Sequence, residues 1–249
     1  MSATGVVAAL EFEAQSLGTR RRRVGGLWRL GDGSLVSVSG VGGDNAVQAA
    51  HQLVAAGAGA LLSWGVAGGL DPALGCGTVL LPAEVVRPST APGLAPLQRF
   101  ETCRTWRERV AAALPAHAAV TAGGLLSSVQ PVATAELKAR LFRDTQAVAV
   151  DMESAAVAQV AADHGLPFIT LRVIVDSATV SLPGSVMRAF EPAMAGRPGL
   201  WRAWALLGAP ADWGSLLRLA AAYRVARRVL HDCARRAAPT RAPEPRGGG

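Results

Sequence analysis

Lysine is almost absent. Lys138 is the only one, so arginine supplies nearly all of the 25 basic residues. Charge of either sign is sparse at 17% of residues, while 50% are hydrophobic, and that balance excludes a disordered protein. Cysteine is scarce too. Cys76, Cys103 and Cys233 are scattered without metal-ligand spacing, and an odd count gives no disulfide framework, so a cytoplasmic setting is expected. Aromatics make up 5% and do not interleave with the arginines, so the net charge of +7 implies local patches and no nucleic-acid partner. Those patches are Arg20 to Arg23 and the stretch from Arg218 to Arg246. Long uninterrupted apolar runs are missing. Gly5 to Leu10 is too short for a secretory signal and meets Glu11 and Glu13. Leu53 to Leu70 is uncharged but broken by glycines. It reads as a helix end, a turn and a buried strand, so no transmembrane segment is expected.

What is present is alanine, glycine and valine over 249 residues, enough for one α/β domain with a substantial core. The most informative stretch runs from Ala147 to Ala156. Its alternating valines read as a buried strand, its alanine-rich continuation as a helix, and Asp151 and Glu153 stand between them. A carboxylate delivered where a strand becomes a helix lies at the carboxyl edge of a sheet, where open α/β folds bind ligands. The plainer alternative is that Asp151 caps the helix and Glu153 sits in its first turn.

The other strand ends repeat the pattern. Gly5 to Leu10 delivers Glu11-Phe12-Glu13 at its end, the plainer alternative being an exposed acid in the first turn of a helix from Glu11 to Leu17. Arg20 to Arg23 reads as a solvated loop. Strands at Leu27–Leu30 and Leu35–Ser39 precede the turn Ser39-Gly40-Val41-Gly42 and a helix from Asn45 to Ala56. That glycine turn could hold phosphate on backbone N–H groups, although it lacks both the dinucleotide and the P-loop spacing. Strands follow at Ala60–Trp64, Thr78–Val86 and Ala118–Ser127. A loop is expected over Arg87–Leu97, helices over Thr102–Leu114 and Thr134–Phe142, and a strand from Pro167 to Val175 ends in Asp176-Ser177. Beyond Leu182 a helix is expected from Ser185 to Met194, then a Trp201/Trp204 segment. An amphipathic, arginine-rich helix follows from Trp213 to Arg236, its apolar face carrying Leu216, Leu219, Ala220, Tyr223, Ala226 and Leu230. The domain therefore spans 1–237, with 185–237 its divergent helical part, and 238–249 reads as a disordered Pro/Gly/Arg-rich tail.

Val150-Asp151-Met152-Glu153-Ser154-Ala155-Ala156 resembles the acid-Met-Glu signature of the purine and uridine phosphorylase family, which includes the methylthioadenosine/S-adenosylhomocysteine nucleosidases. Gly65-Val66-Ala67-Gly68-Gly69 and Arg172-Val173-Ile174-Val175-Asp176 are similar to two further motifs of that family, and the matches together cover roughly residues 5 to 180. The resemblance implies a single three-layer α/β domain with a central mixed twisted sheet flanked by helices. It implies cleavage of a purine–ribose bond, with Asp176 as general acid to the base and Glu13 acting on a water in hydrolysis or orienting the sugar in phosphorolysis. Glu153 and Met152 would hold the ribose. Val66, Ala67, Gly68, Val132 and Ser177 would surround the substrate, and Gly40 and Gly42 would face phosphate. No metal or organic cofactor is implied, phosphate being a co-substrate.

Two departures stand out. Val66 replaces a serine that helps phosphorylases bind phosphate, and Ser63 replaces an arginine. Ser63 to Leu70, the Asp151 and Asp176 motifs and the arginine-rich C-terminal region look most like the hopanoid-associated nucleoside phosphorylases, which act on adenosylhopane. That likeness implies a lipid-linked nucleoside as substrate, peripheral contact with the inner membrane, and a homo-oligomer. The alternatives are a soluble methylthioadenosine/S-adenosylhomocysteine nucleosidase and a non-catalytic nucleoside-binding protein.

Overall fold

A computed structural model describes residues 3–18, 21–88, 97–115, 120–184, 186–187 and 213–242. Arg20, most of the loop expected after Arg87, nearly all of the Ser185–Met194 helix, the Trp201/Trp204 segment and residues 243–249 lie outside the described residues.

The first strand, β1 (Ala3–Ala8), shows how the layers arise. Successive side chains of a strand point to opposite faces. Val7 therefore joins a core with helices α2 (Gly43–Ala55) and α5 (Ser154–Asp163), while Val6 and Ala8 join a core on the other face. That second core is covered by α1 (Glu11–Ser16), α3 (Arg104–Ala112) and α6 (Trp213–Ala237). The alternation continues in β5 (Ala58–Gly69) and β12 (Phe168–Asp176), where Leu61 and Ile174 face one core and Leu62 and Val173 the other. The result is the expected mixed sheet between two helical layers.

The remaining strands are β2 (Arg21–Val24), β3 (Leu27–Leu30), β4 (Leu35–Val38), β6 (Val79–Leu80), β7 (Glu84–Pro88), β8 (Leu97–Glu101), β9 (Val120–Thr121), β10 (Leu125–Ser127) and β11 (Ala149–Asp151). Their order is β2-β3-β4-β1-β5-β11-β10-β7-β8, with β12, β6 and β9 branching from β5. Helix α4 (Ala135–Thr145) lies between β10 and β11 in the chain and is capped by the Thr134 hydroxyl.

The branch point decides where a site can form. One edge of β5 pairs with β1 up to Trp64 and with β11 from Gly68 onward. Its other edge pairs with β12 from Leu61 to Gly68. Between Trp64 and Gly68 the first edge has no strand neighbour, and a gap opens in the sheet.

Several expectations are corrected. The arginine run is no loop: Arg21–Val24 forms β2, antiparallel to β3, at the end of the strand order. The Thr78–Val86 and Ala118–Ser127 strands each split in two. Their first parts, β6 and β9, pair in the β12 branch, and their second parts, β7 and β10, in the β11 branch. Pro82, without an amide hydrogen, lies at the first split, and Gly123 at the second, where a Cβ would sit 2.6 Å from Val148. Residues 238–242 were assigned to the disordered tail, yet they dock. The Trp106 indole donates to the Pro239 carbonyl at 2.9 Å, and the Thr240 hydroxyl bonds the Asp32 carboxylate at 2.6 Å.

Candidate active site

The gap in the sheet is filled from three sides by charged groups. β1 ends at Ala8 and the chain turns directly into α1, which carries Glu13 into the gap. One carboxylate oxygen accepts the amide of Leu10 at 2.8 Å, closing the first turn of its own helix. The other accepts the amide of Val66 at 2.9 Å, a β5 donor that no strand reaches. Glu13 is 2% exposed. Burial raises its pKa, while Arg172 and these backbone donors pull it down. Gly65 makes this approach possible. A Cβ there would lie 2.3 Å from Oε1 of Glu13 and 2.6 Å from Nη1 of Arg172.

Arg172 is the one basic residue of β12 and is 1% exposed. Its guanidinium bonds the Asp151 carboxylate at 2.9 and 2.7 Å, the Ser63 hydroxyl at 2.7 Å and the Ser154 hydroxyl at 3.0 Å. Nη1 makes no hydrogen bond to a described residue and lies against Gly65 beside Glu13. Asp151 is thus a structural partner of this cation. It also accepts the Ser154 amide at 3.1 Å at the start of α5, as its capping alternative required.

Glu153 enters at the junction of β11 and α5. It accepts the Gly42 amide at 2.8 Å and approaches Arg172 to 3.8 Å. Burial, then the neighbouring Asp151 charge, push its pKa to about 7, with Arg172 opposing. Asp176 ends β12 and lies over Gly68, where a Cβ would be 3.3 Å from Oδ1. Its other oxygen is ion-paired with the ammonium of Lys138, reaching in from α4. Burial raises the Asp176 pKa and Lys138 lowers it.

Glu13, Glu153 and Asp176 line one pocket. Met152, Val66, Ala67, Gly68 and Val132 line it as well. Ser177, Gly40 and Gly42 do not. The Ser177 carbonyl faces Lys138 at 3.0 Å, the Gly40 amide donates to Ala9 at 3.1 Å, and the Gly42 amide is engaged by Glu153. Neither glycine amide is left to hold phosphate. Leu182, Val186, Leu219 and the half-buried Tyr223 add an apolar part to the same lining. Among the described residues no cluster of His, Cys, Asp or Glu suits a metal ion.

Sequence reasoning missed Arg172 and Lys138 as site residues. The first was signalled by a lone charge in an otherwise apolar strand. The second was signalled only by its being the single lysine of the chain.

The phosphorylase superfamily profile matches residues 6–195. No curated protein sequence matches the chain significantly. Among solved structures, the fold is similar to the methylthioadenosine/S-adenosylhomocysteine nucleosidase of Neisseria meningitidis in complex with methylthio-immucillin-A. The TM-score is 0.67 at 22% identity, covering 94% of this chain and 98% of that one. Futalosine hydrolase of Helicobacter pylori gives a TM-score of 0.65 at 20% identity, covering 92% and 96%. At such identities the structures establish the shared fold, and the sequence profile establishes the family. The chain belongs to the phosphorylase superfamily and is an enzyme of its nucleoside phosphorylase and nucleosidase class.

Proposed function

We propose that this enzyme releases adenine from a 5′-substituted adenosine, and that the natural substituent is an apolar, lipid-linked group such as that of adenosylhopane. The observation that carries the reading is the layout of a single pocket. Three carboxylates, Glu13, Glu153 and Asp176, share its lining with the apolar side chains of Leu182, Val186 and Leu219 and with Tyr223. Breaking the bond between N9 and the anomeric carbon sends the electron pair to the base and leaves an oxocarbenium-like sugar. Asp176 gives a proton to purine N7, which makes adenine a better leaving group. Glu153 accepts hydrogen bonds from the ribose 2′- and 3′-hydroxyls, and Met152 packs on the sugar. Glu13, which lines the pocket and has Nη1 of Arg172 beside it at Gly65, holds the nucleophile beneath the anomeric carbon.

A second reading, hydrolysis, is favoured by one observation. The Gly40 and Gly42 amides are already engaged, so the glycine turn offers no phosphate cradle. Water would then sit against Glu13, which takes its proton. Adenine release from a 5′-alkylated adenosine, with and without phosphate, separates the two. Release that requires phosphate and collapses in Asp176→Asn supports phosphorolysis, and release without phosphate makes the enzyme a nucleosidase. Absence of release from any adenosine sinks both. A preference for long 5′-alkyl chains over methylthioadenosine supports the lipid substrate, and the reverse preference removes it.

A further inference from the structure

We propose that Lys138 is a positioning residue for catalysis, locked beside Asp176 so that its ammonium stabilises the carboxylate left when that acid gives up its proton. The inference rests on the reading of Asp176 as the general acid. Lys138 is fully buried on α4. Its three N–H donors go to three acceptors: an Asp176 oxygen, the Ser177 carbonyl at 3.0 Å and the Val180 carbonyl at 2.8 Å. The ammonium therefore has no freedom to turn away. Docking α4 onto this loop does not need a buried cation. The Leu182 amide already bonds Ala133 at 2.7 Å, and the Ala135 amide bonds the Ser181 hydroxyl at 3.0 Å. Burying an ammonium carries a desolvation cost that these two neutral bonds avoid. The residue type is also informative. A chain that otherwise uses arginine places its single lysine here, where three acceptors converge on one nitrogen. A planar guanidinium cannot meet that geometry from a single atom.

The groups facing Asp176 are Lys138 from α4, Cys76 from the turn after β5, and Tyr223 from α6. Burial, reinforced by Asp176, holds the Cys76 thiol and the Tyr223 phenol protonated, so Lys138 is the cation that acts on it. As the bond to the base breaks, the proton passes from Asp176 to N7 and a carboxylate appears opposite the ammonium, which keeps all its own protons. Without Lys138, burial alone would leave Asp176 a weaker acid.

The test compares wild type, Lys138→Gln and Lys138→Arg in adenine release from a 5′-alkylated adenosine across pH. Glutamine keeps donors for the two carbonyls and removes the charge. Activity needs protonated Asp176, so it falls as pH rises through the pKa of that group. In Lys138→Gln this alkaline limb should move upward by about one pH unit, with kcat down about tenfold and KM little changed. Lys138→Arg should bring the limb back toward its wild-type position. A limb that stays put in Lys138→Gln overturns the proposal and leaves Lys138 a structural clamp. Undiminished activity in Asp176→Asn would instead remove the general-acid reading itself. A further measurement needs no variant. Lysine-selective isotope labelling gives one side-chain NMR signal, which should remain that of an ammonium and shift as Asp176 titrates along the alkaline limb. A signal indifferent to that titration overturns the proposal.

Discussion

Glu153 shows how one carboxylate can link binding to stability. Its pKa of about 7 lies above the ordinary value of 4.5, chiefly because it is buried beside the Asp151 charge. Between pH 4.5 and about 7 the folded state therefore holds a proton that the unfolded chain has released. Its contribution to stability is fully present below pH 4.5 and is lost as pH rises through 7. Glu153→Gln removes that loss. Thermal melts at several pH values should show the variant gaining on wild type as pH rises from 4.5 to 7, with a constant difference outside that window. The same substitution weakens ribose binding, so KM should rise. Arg172 and Asp151 make the complementary case. The pair is buried, so neither could lose its partner without leaving an uncompensated charge in the core.

At the scale of the element, β5 governs the site. Its twelve residues serve β1, β12 and β11 in turn, and the handover leaves Val66 for Glu13 to cap. Gly65→Ala puts a methyl group into the Glu13 carboxylate and the Arg172 guanidinium. A displacement of about 1 Å in catalytic geometry can reduce turnover by about a hundredfold. Adenine release by Gly65→Ala should fall by at least that factor, and circular dichroism should show the strands retained.

The same strand marks what could be read from the residues in order. Alternating valines make β11 legible, short apolar runs make β1 and β12 legible, and the acids at their ends form a recognisable set. The continuation of β5 beyond Trp64 was not legible, because its glycines carry no periodicity and serve as points of close approach. Nor was β2. A run of arginines has no apolar face, and it becomes a strand only because β3 offers an edge to pair with. Lys138 was hidden for a different reason. Its role depends on Asp176, Ser177 and Val180, 38 to 42 positions away in the chain.

For the whole molecule, the two helical layers do different work. α2 and α5 pack tightly through alanines, whereas the other face is closed by α6, 25 residues long, over α1, α3 and β12. Only the second half of α6 is deeply buried, through Ala226, Leu230, Cys233 and Ala237. Its first half carries Leu219 and Tyr223 to the pocket and leaves Leu217 71% exposed. Leu230→Ala should lower stability in urea titrations by about 2–5 kcal/mol, the usual range for a fully buried leucine. Among the described residues no helix is long and apolar enough to cross a membrane. At one end of the sheet, β2 has no further strand neighbour among the described residues, and such an edge presents a row of backbone donors and acceptors that could template further strands, the hazard behind fibrous assembly. Its exposed Arg22 and Arg23 answer that hazard by mutual repulsion, since a second copy approaching edge to edge would bring its own arginines against them. Reversing the charge of Arg22, so that the pair becomes one acid and one base, would remove that repulsion and should show as faster aggregation by light scattering at high concentration.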